Sequence, residues 1–191
     1  MENSKGILFI VSAPSGTGKT TIVKRILKEF PRIVFSVSAT TRNKRENEKE
    51  GTDYFFLTED EFRHKIEQNE FAEWEKFYDY YYGTFRRYID DNLKKGNSVL
   101  LEIDVKGALR IKEIYPDAVL IFIVPPSFDE LVNRLKNRQT EDEIDFQKRI
   151  ERAELELRLK EKFDYFIENI EIEQAVKDIK TLLEDLIKEK K

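Results

Sequence analysis

Apolar residues along this 191-residue chain come in short runs separated by longer amphipathic stretches. "ILFIV" (7–11) is hydrophobic on both strand faces, the pattern of a strand buried within a parallel sheet. "KTTIVKRILKEF" (19–30) then spaces Ile22, Ile26 and Phe30 by four, which makes one stripe of a helix. "SVLLEID" (98–104) and "AVLIFIV" (118–124) read as further buried strands, and "FDYFIE" (163–168) as a shorter one. Helical periodicity fills 85–95, 105–114, 127–137, 141 to about 162, and 171–189. Three helix starts pair a hydroxyl residue with a glutamate three positions on: Thr58/Glu61, Ser127/Glu130 and Thr140/Glu143. Parallel strands need long crossovers, and these helices supply them. The pattern predicts a doubly wound α/β core built on a parallel sheet.

Residues 36–84 interrupt this rhythm. They are polar and tyrosine-rich, with "DYFFL", a capped helix at 59–68 and the hairpin-like "FAEWEKFYDYYYG". A small α+β lobe inserted after the second strand is expected there.

Composition narrows the field. The length suits one domain with its own core. The absence of cysteine rules out disulfides and thiolate metal sites. The one histidine, His64, falls on a polar helix face and suggests no metal centre. Lys and Arg number 34 against 38 Asp and Glu, which argues against bulk nucleic-acid binding. Charge this dense is also compatible with surface ion-pair networks. No apolar run approaches the ~20 residues of a membrane span. "MENSKGILFIV" carries no signal-peptide pattern, so a cytoplasmic location is expected.

Between the first strand and first helix lies "SAPSGTGKTT" (12–21). It resembles a phosphate-binding loop, although the strict pattern wants glycine at Ala13. Gly16 and Gly18 let backbone N–H groups close around phosphate oxygens. The following helix adds its orphan N–H groups and the positive end of its dipole. Lys19 can reach the β- and γ-phosphates, and the Thr20 hydroxyl can ligate Mg²⁺. A glycine-rich turn without a ligand is the alternative; strand, two glycines, Lys, Thr and helix in that order favour a nucleotide. The triphosphate site is expected to span Ala13, Pro14, Ser15, Gly16, Thr17, Gly18, Lys19, Thr20 and Thr21. Such a loop does not name a reaction, because many enzymes share it.

The inserted stretch "SVSATTRNKRENEKEGTDY" (36–54) holds two arginines three apart, with a tyrosine nearby. These could clamp a second phosphate, since planar forks suit its oxygens; a solvated basic loop would look the same. Glu73 in "FAEWE" reads by itself as an alternating outward strand residue. Taken together, however, S-x-S-x-T-T-R-x-x-R, E-x-x-G-x-D-Y, "NEFAEWEKF", "YYGT" and "LLEIDVKG" resemble the guanylate kinase family in order and spacing, from about residue 5 to 185. "SAPSGxGK" is itself a common form of that family's loop.

The resemblance implies a P-loop fold with a five-stranded parallel core sheet and a helical lid, and an ATP:GMP phosphotransferase requiring Mg²⁺, with ATP and GMP (dGMP as well) as substrates and no protein partner. Position by position, it implies that Arg42, Arg45, Tyr54 and Tyr82 hold the GMP phosphate, and that Ser38, Glu73 and Thr84 read the guanine. The chemistry is coherent: a carboxylate can accept guanine N1–H and the N2 amino group, and a hydroxyl can donate to O6. Glu102 and Asp104 end a buried strand two residues apart, on one face toward the ligand crevice. The family reading gives Glu102 to the Mg²⁺ water shell and Asp104 to the edge of the GMP site. Many relatives carry aspartate at the place of Glu102.

In "RLKNRQTEDEIDFQKRIERAE" (134–154) the resemblance implies a mobile lid whose arginines reach the transferring phosphoryl group. Arg134 is spaced to pair with Glu130, and Arg152 with Glu156, as ordinary helix pairs. Arg138 and Arg149 are therefore the catalytic candidates beside Lys19. Gln139 replaces the family's usual glycine, which leaves the lid path open. Asn169 matches a position near the adenine, followed by Ile170 where aspartate is usual. A rival from another class is a kinase-like module that binds an acidic or phosphorylated peptide without catalysis. The intact Lys19, Thr20, Glu102 and Asp104 speak against it. A kinase for another acceptor would need neither Glu73 nor its two hydroxyl companions.

Overall fold

The five residues of β1 (Leu8–Ser12) are all buried, and their alternation divides two cores. Phe9 and Val11 face one side of the sheet, Leu8 and Ile10 the other. The structure is a computed structural model that describes residues 6–77, 79–137 and 143–190. After β1 come α1 (Lys19–Glu29) and β2 (Ile33–Phe35), and then the inserted lobe. The lobe contains β3 (Ala39–Thr40), β4 (Phe55–Phe56), α2 (Glu59–Glu67), β5 (Phe71–Phe77) and β6 (Tyr80–Phe85). The chain returns through α3 (Arg86–Lys94), β7 (Ser98–Glu102), α4 (Val105–Ile114) and β8 (Val119–Val124). It continues with α5 (Phe128–Lys136), α6 (Glu143–Arg158), β9 (Tyr165–Glu168) and α7 (Ile172–Glu189).

Among the described residues β2, β7, β1, β8 and β9 lie side by side in that order as one parallel sheet. Helices cover both faces, as a parallel sheet requires. On one face Ile22 and Ile26 of α1 meet Ile179 and Leu183 of α7 over Phe9. On the other, Ile89 of α3 and Ile111 of α4 pack on Leu101 and Phe122. Burying each such side chain contributes roughly 1.5–3 kcal/mol against exposure. β1 is central, so the loop that follows it opens where strands on either side diverge, at the carboxyl edge.

The lobe has its own four-stranded sheet, ordered β4-β3-β6-β5, and a separate aromatic cluster. Phe62 of α2 stacks on Phe71 with ring centroids 4.4 Å apart. Gly83 on β6 is required by this packing, since a Cβ there would meet Phe62 at 2.9 Å and Phe71 at 3.0 Å. The Thr58/Glu61 capping box forms in full: the Thr58 hydroxyl accepts from Glu61 N–H and the Glu61 carboxylate from Thr58 N–H. Ser127 caps α5 by accepting from Glu130 N–H. Thr140 lies outside the described residues.

Two expectations are corrected. The strand at 98–104 stops at Glu102, so Asp104 shares no strand face with it; Asp104 instead caps α4, accepting N–H bonds from Lys106 and Gly107. The helix expected to run to about 162 ends at Arg158, and a single 3₁₀ turn, Lys160–Lys162, leads to β9. No helix among the described residues is long and apolar enough to cross a membrane.

Candidate active site

The loop after β1 is tied at several points. The Thr17 hydroxyl, fully buried, donates to the Pro14 carbonyl at 2.8 Å. Gly16 and Gly18 adopt φ of 90° and 92°, the left-handed region open to glycine. Ala13 is not in that region: among the described residues Asn69 is the non-glycine with positive φ. Its methyl packs into the core below β1, which is why alanine is tolerated there. Gly18 stands at the N-cap of α1, whose first N–H groups remain available to an anion.

Side chains from distant elements converge on this loop. Lys19 Nζ donates to the Ile103 carbonyl at 3.0 Å, just past β7. The Thr20 hydroxyl hydrogen-bonds Glu102 Oε1. Arg149 on α6 donates from Nη2 to Ser15 Oγ at 3.1 Å. Asn169 is buried, and its Nδ2 donates to the Thr17 carbonyl at 2.6 Å. A Cβ on Gly18 would lie 2.8 Å from that same nitrogen. Asn169 therefore supports the loop from below. Beside it opens a cleft of about 410 Å³, lined by Gly16, Gly18, Arg134, Asn169 and Ile170. Arg134 pairs with Glu130 at 2.9 Å and also borders this cleft. Arg138 and Gln139 lie outside the described residues.

The lobe carries a second set of polar groups. Glu73 on β5 and Thr84 on β6 are register partners, 6% and 0% exposed. The Thr84 hydroxyl donates to Glu73 Oε1 at 2.6 Å. Burial pushes the Glu73 carboxyl up to about 7, reinforced by the Asp104 charge and opposed by the Thr84 hydrogen bond and Arg110. Gly107, in the first turn of α4, leaves room for this carboxylate, since a Cβ would come within 2.9 Å of Glu73 Oε2.

Arg42 grips Glu48 through two bonds, 2.6 and 3.0 Å, and lies 5.4 Å from the Tyr54 ring centroid. Its hydrogen bond to Glu48 raises the guanidinium pKa further. Tyr54 meets Tyr82 edge-on at 6.2 Å. Burial, followed by the Glu102 charge, pushes the Tyr54 phenol up to about 12. Arg45 is exposed and its N–H donates to Glu48 at 2.8 Å. Ser38 is half-buried on the way into β3, its carbonyl accepting from Phe55 N–H at 2.9 Å. Lys24 of α1 bridges to Asp53 of the lobe at 2.9 Å.

The structure thus gathers Lys19, Thr20, Glu102, Arg149 and Asn169 around one loop, and Arg42, Tyr54 and Tyr82 around one guanidinium. It also shows residues the sequence pattern did not single out. Glu48 sits in a run of charges with nothing to mark it. Gly107 had a signal, a glycine in a helix's first turn. Glu75 and Arg152 matter through contacts between elements.

The loop is suited to a polyphosphate, and the Arg42 cluster to a second, phosphate-bearing ligand. A guanylate kinase family model matches residues 5–186. The guanylate kinase of Thermotoga maritima is 44% identical over 94% of this chain and 86% of its own length. That of Caldanaerobacter subterraneus is 45% identical over 94% and 87%. The crystal structure of guanylate kinase from Anaplasma phagocytophilum superposes with a TM-score of 0.79 at 34% identity, covering 95% of this chain and 86% of that one. This chain belongs to the guanylate kinase family.

Proposed function

We propose that the chain transfers the γ-phosphoryl group of ATP to GMP, giving ADP and GDP, with each substrate held by the residues named below. Residues 5–185 act as one catalytic domain, with a core of 5–35, 85–125 and 160–189. The acceptor lobe is 36–84 and the lid about 134–158. The loop Ala13–Thr21 holds the triphosphate, and Asn169 braces it. Arg42, Arg45, Tyr54 and Tyr82 hold the GMP phosphate. Ser38, Glu73 and Thr84 read the guanine, with Asp104 at the pocket edge. None of these roles involves the 2′-hydroxyl, so dGMP is a second acceptor. We assign the enzyme to the cytoplasm, acting without a protein partner.

One observation carries the reading most directly: a buried carboxylate–hydroxyl pair, Glu73 and Thr84, stands on the inserted lobe. Guanine offers N1–H and an amino group to a carboxylate, and O6 to a hydroxyl. Adenine would set its N1 lone pair against Glu73. Sites of this kind discriminate by roughly 10⁴ or more, because the wrong base strands buried polar groups.

Thr20 and Glu102 bring a hydroxyl and a carboxylate together beside the loop, hard oxygen donors that suit Mg²⁺. Thr20 would hold the ion directly and Glu102 through water. When bound, the ion supplies neutralisation of charge on the β- and γ-phosphate oxygens. The chain's own residues do the rest. Arg42 and its neighbours aim a GMP phosphate oxygen at the γ-phosphorus. The bond to that oxygen forms as the bond to the ADP oxygen breaks. The attacking oxygen is already anionic near neutral pH, with a second phosphate pKa of about 6, so no strong base is needed. Lys19, Arg149 and Arg138 meet the charge on the transferring group, and positioning accounts for most of the rate. Closure of lid and lobe excludes water, which would otherwise take the phosphoryl group.

A coupled assay of ADP release with GMP, dGMP, AMP, CMP and UMP tests this. GMP and dGMP are the expected acceptors. Equal turnover with AMP rejects the base assignment.

A further inference from the structure

Arg152 stands on α6, yet its guanidinium gathers groups from other elements. Nε donates to Glu156 Oε1 at 2.7 Å, one turn along the same helix. Nη2 lies 3.5 Å from Glu75 Oε2 on β5 and 3.8 Å from Asp104 Oδ1 at the start of α4. The guanidinium carbon sits 4.0 Å from the centroid of the Phe77 ring. Glu73, Glu75 and Phe77 alternate along β5 and so share a strand face. Asp104 also supports Gly107, against which the Glu73 carboxylate rests. Arg152 thus reaches the acceptor face of the lobe from the helix assigned to the lid.

The charges around it are unbalanced. Glu75, Asp104 and Glu156 share one guanidinium, helped by Lys106 Nζ at 3.7 Å from Glu75. Burial and the Asp104 charge push the Glu75 carboxyl up, and burial pushes Glu156 up. An incoming nucleoside monophosphate brings further negative charge to this rim.

We propose that Arg152 is a positioning residue for the acceptor: it neutralises Glu75 and Asp104 so that the pocket rim does not repel the monophosphate, and it ties α6 to the lobe that binds it. This rests on the assignment of lobe 36–84 to GMP. The pair energies themselves are modest for a partly exposed cluster, so the effect falls on acceptor binding more than on folding.

Steady-state kinetics on Arg152→Ala, Arg152→Lys, Glu75→Gln and the Arg152→Ala/Glu75→Gln double variant test the proposal. Arg152→Ala should raise KM for GMP about tenfold and leave KM for ATP within about twofold, a differential loss of acceptor binding. Arg152→Lys should restore most of that loss. Removing one of the carboxylates left unneutralised should help: the double variant should bind GMP better than Arg152→Ala alone, a coupling that a merely structural contact would not produce. Equal rises in both KM values, or no improvement in the double variant, overturn the proposal. If Arg152→Ala does not fold, Arg152→Gln takes its place beside the lysine variant: a KM for GMP unchanged in Arg152→Gln overturns the proposal. Arg42→Ala and Glu73→Gln run in the same panel separate the two levels. Unchanged GMP binding in those variants defeats the lobe assignment itself, whatever Arg152 does.

Discussion

Glu73 and Thr84 face each other across the β5–β6 pair, joined by a 2.6 Å hydrogen bond in which the threonine donates. Burial holds the carboxyl at about 7, above its ordinary 4.5. Between those values the folded chain keeps a proton that the unfolded chain has lost. Its contribution to stability is therefore full below about pH 4.5 and is lost as pH rises through about 7. Reading guanine needs the ionised form, so base binding weakens as pH falls below about 7, by about tenfold per unit. Calorimetric titration with guanosine, which lacks a titrating phosphate, should show this slope in the native chain and none in Glu73→Gln. A flat native profile from about pH 5.5 to 7.5 sinks the assignment.

Lys19 reaches from α1 to the Ile103 carbonyl just past β7 and lies in no hydrophobic cluster. Lys19→Ala should abolish measurable transfer while circular dichroism and the thermal midpoint stay close to native. Retained turnover would remove Lys19 from the chemistry.

Arg149 already touches the loop at Ser15. If its charge serves the transferring group, Arg149→Ala should lower kcat by about 10³, the lower end of what an arginine finger contributes. Little change in either KM should accompany it. A rise in KM alone would make Arg149 a binding residue.

Asn169 gives its amide to the Thr17 carbonyl. Asn169→Ala leaves that carbonyl short of a partner, at about 1–3 kcal/mol. Denaturant unfolding should register this loss, and KM should rise for ATP but not for GMP. Equal stability and an unchanged KM for ATP would show that the brace is dispensable.

Gly83 lies flat against Phe62 and Phe71. Gly83→Ala overpacks the lobe and should destabilise it by about 1–3 kcal/mol. Proteolysis within 36–84 should become faster while the core melts as before; an unaltered digestion pattern would contradict it.

The parts of the molecule legible in the sequence are those written locally. The strands show in runs of adjacent apolar residues, and the phosphate loop in consecutive letters between a strand and a helix. The Thr58/Glu61 cap needed only a three-residue spacing. Glu73 was different. Alternation says which way it points relative to Trp74, but not that Thr84 and Gly107 will enclose it. Only resemblance to a family brought it forward. Asp104 looked like a strand residue because nothing in "LLEID" marks where pairing stops; its two N–H bonds from α4 decide the matter. For Arg152 the pair with Glu156 follows from helix spacing, whereas Glu75 is 77 positions away and meets it only when α6 packs over β5.

The aromatic cluster of Phe62, Phe71 and Tyr81 shares no member with the two clusters under the parallel sheet. The lobe proposed to recognise the acceptor and the core that carries the phosphate loop are therefore held largely by separate interiors, joined where Ala72 of β5 enters one of the clusters against the sheet. A rewritten base preference would be a local edit for evolution or an engineer as long as it spares that seam.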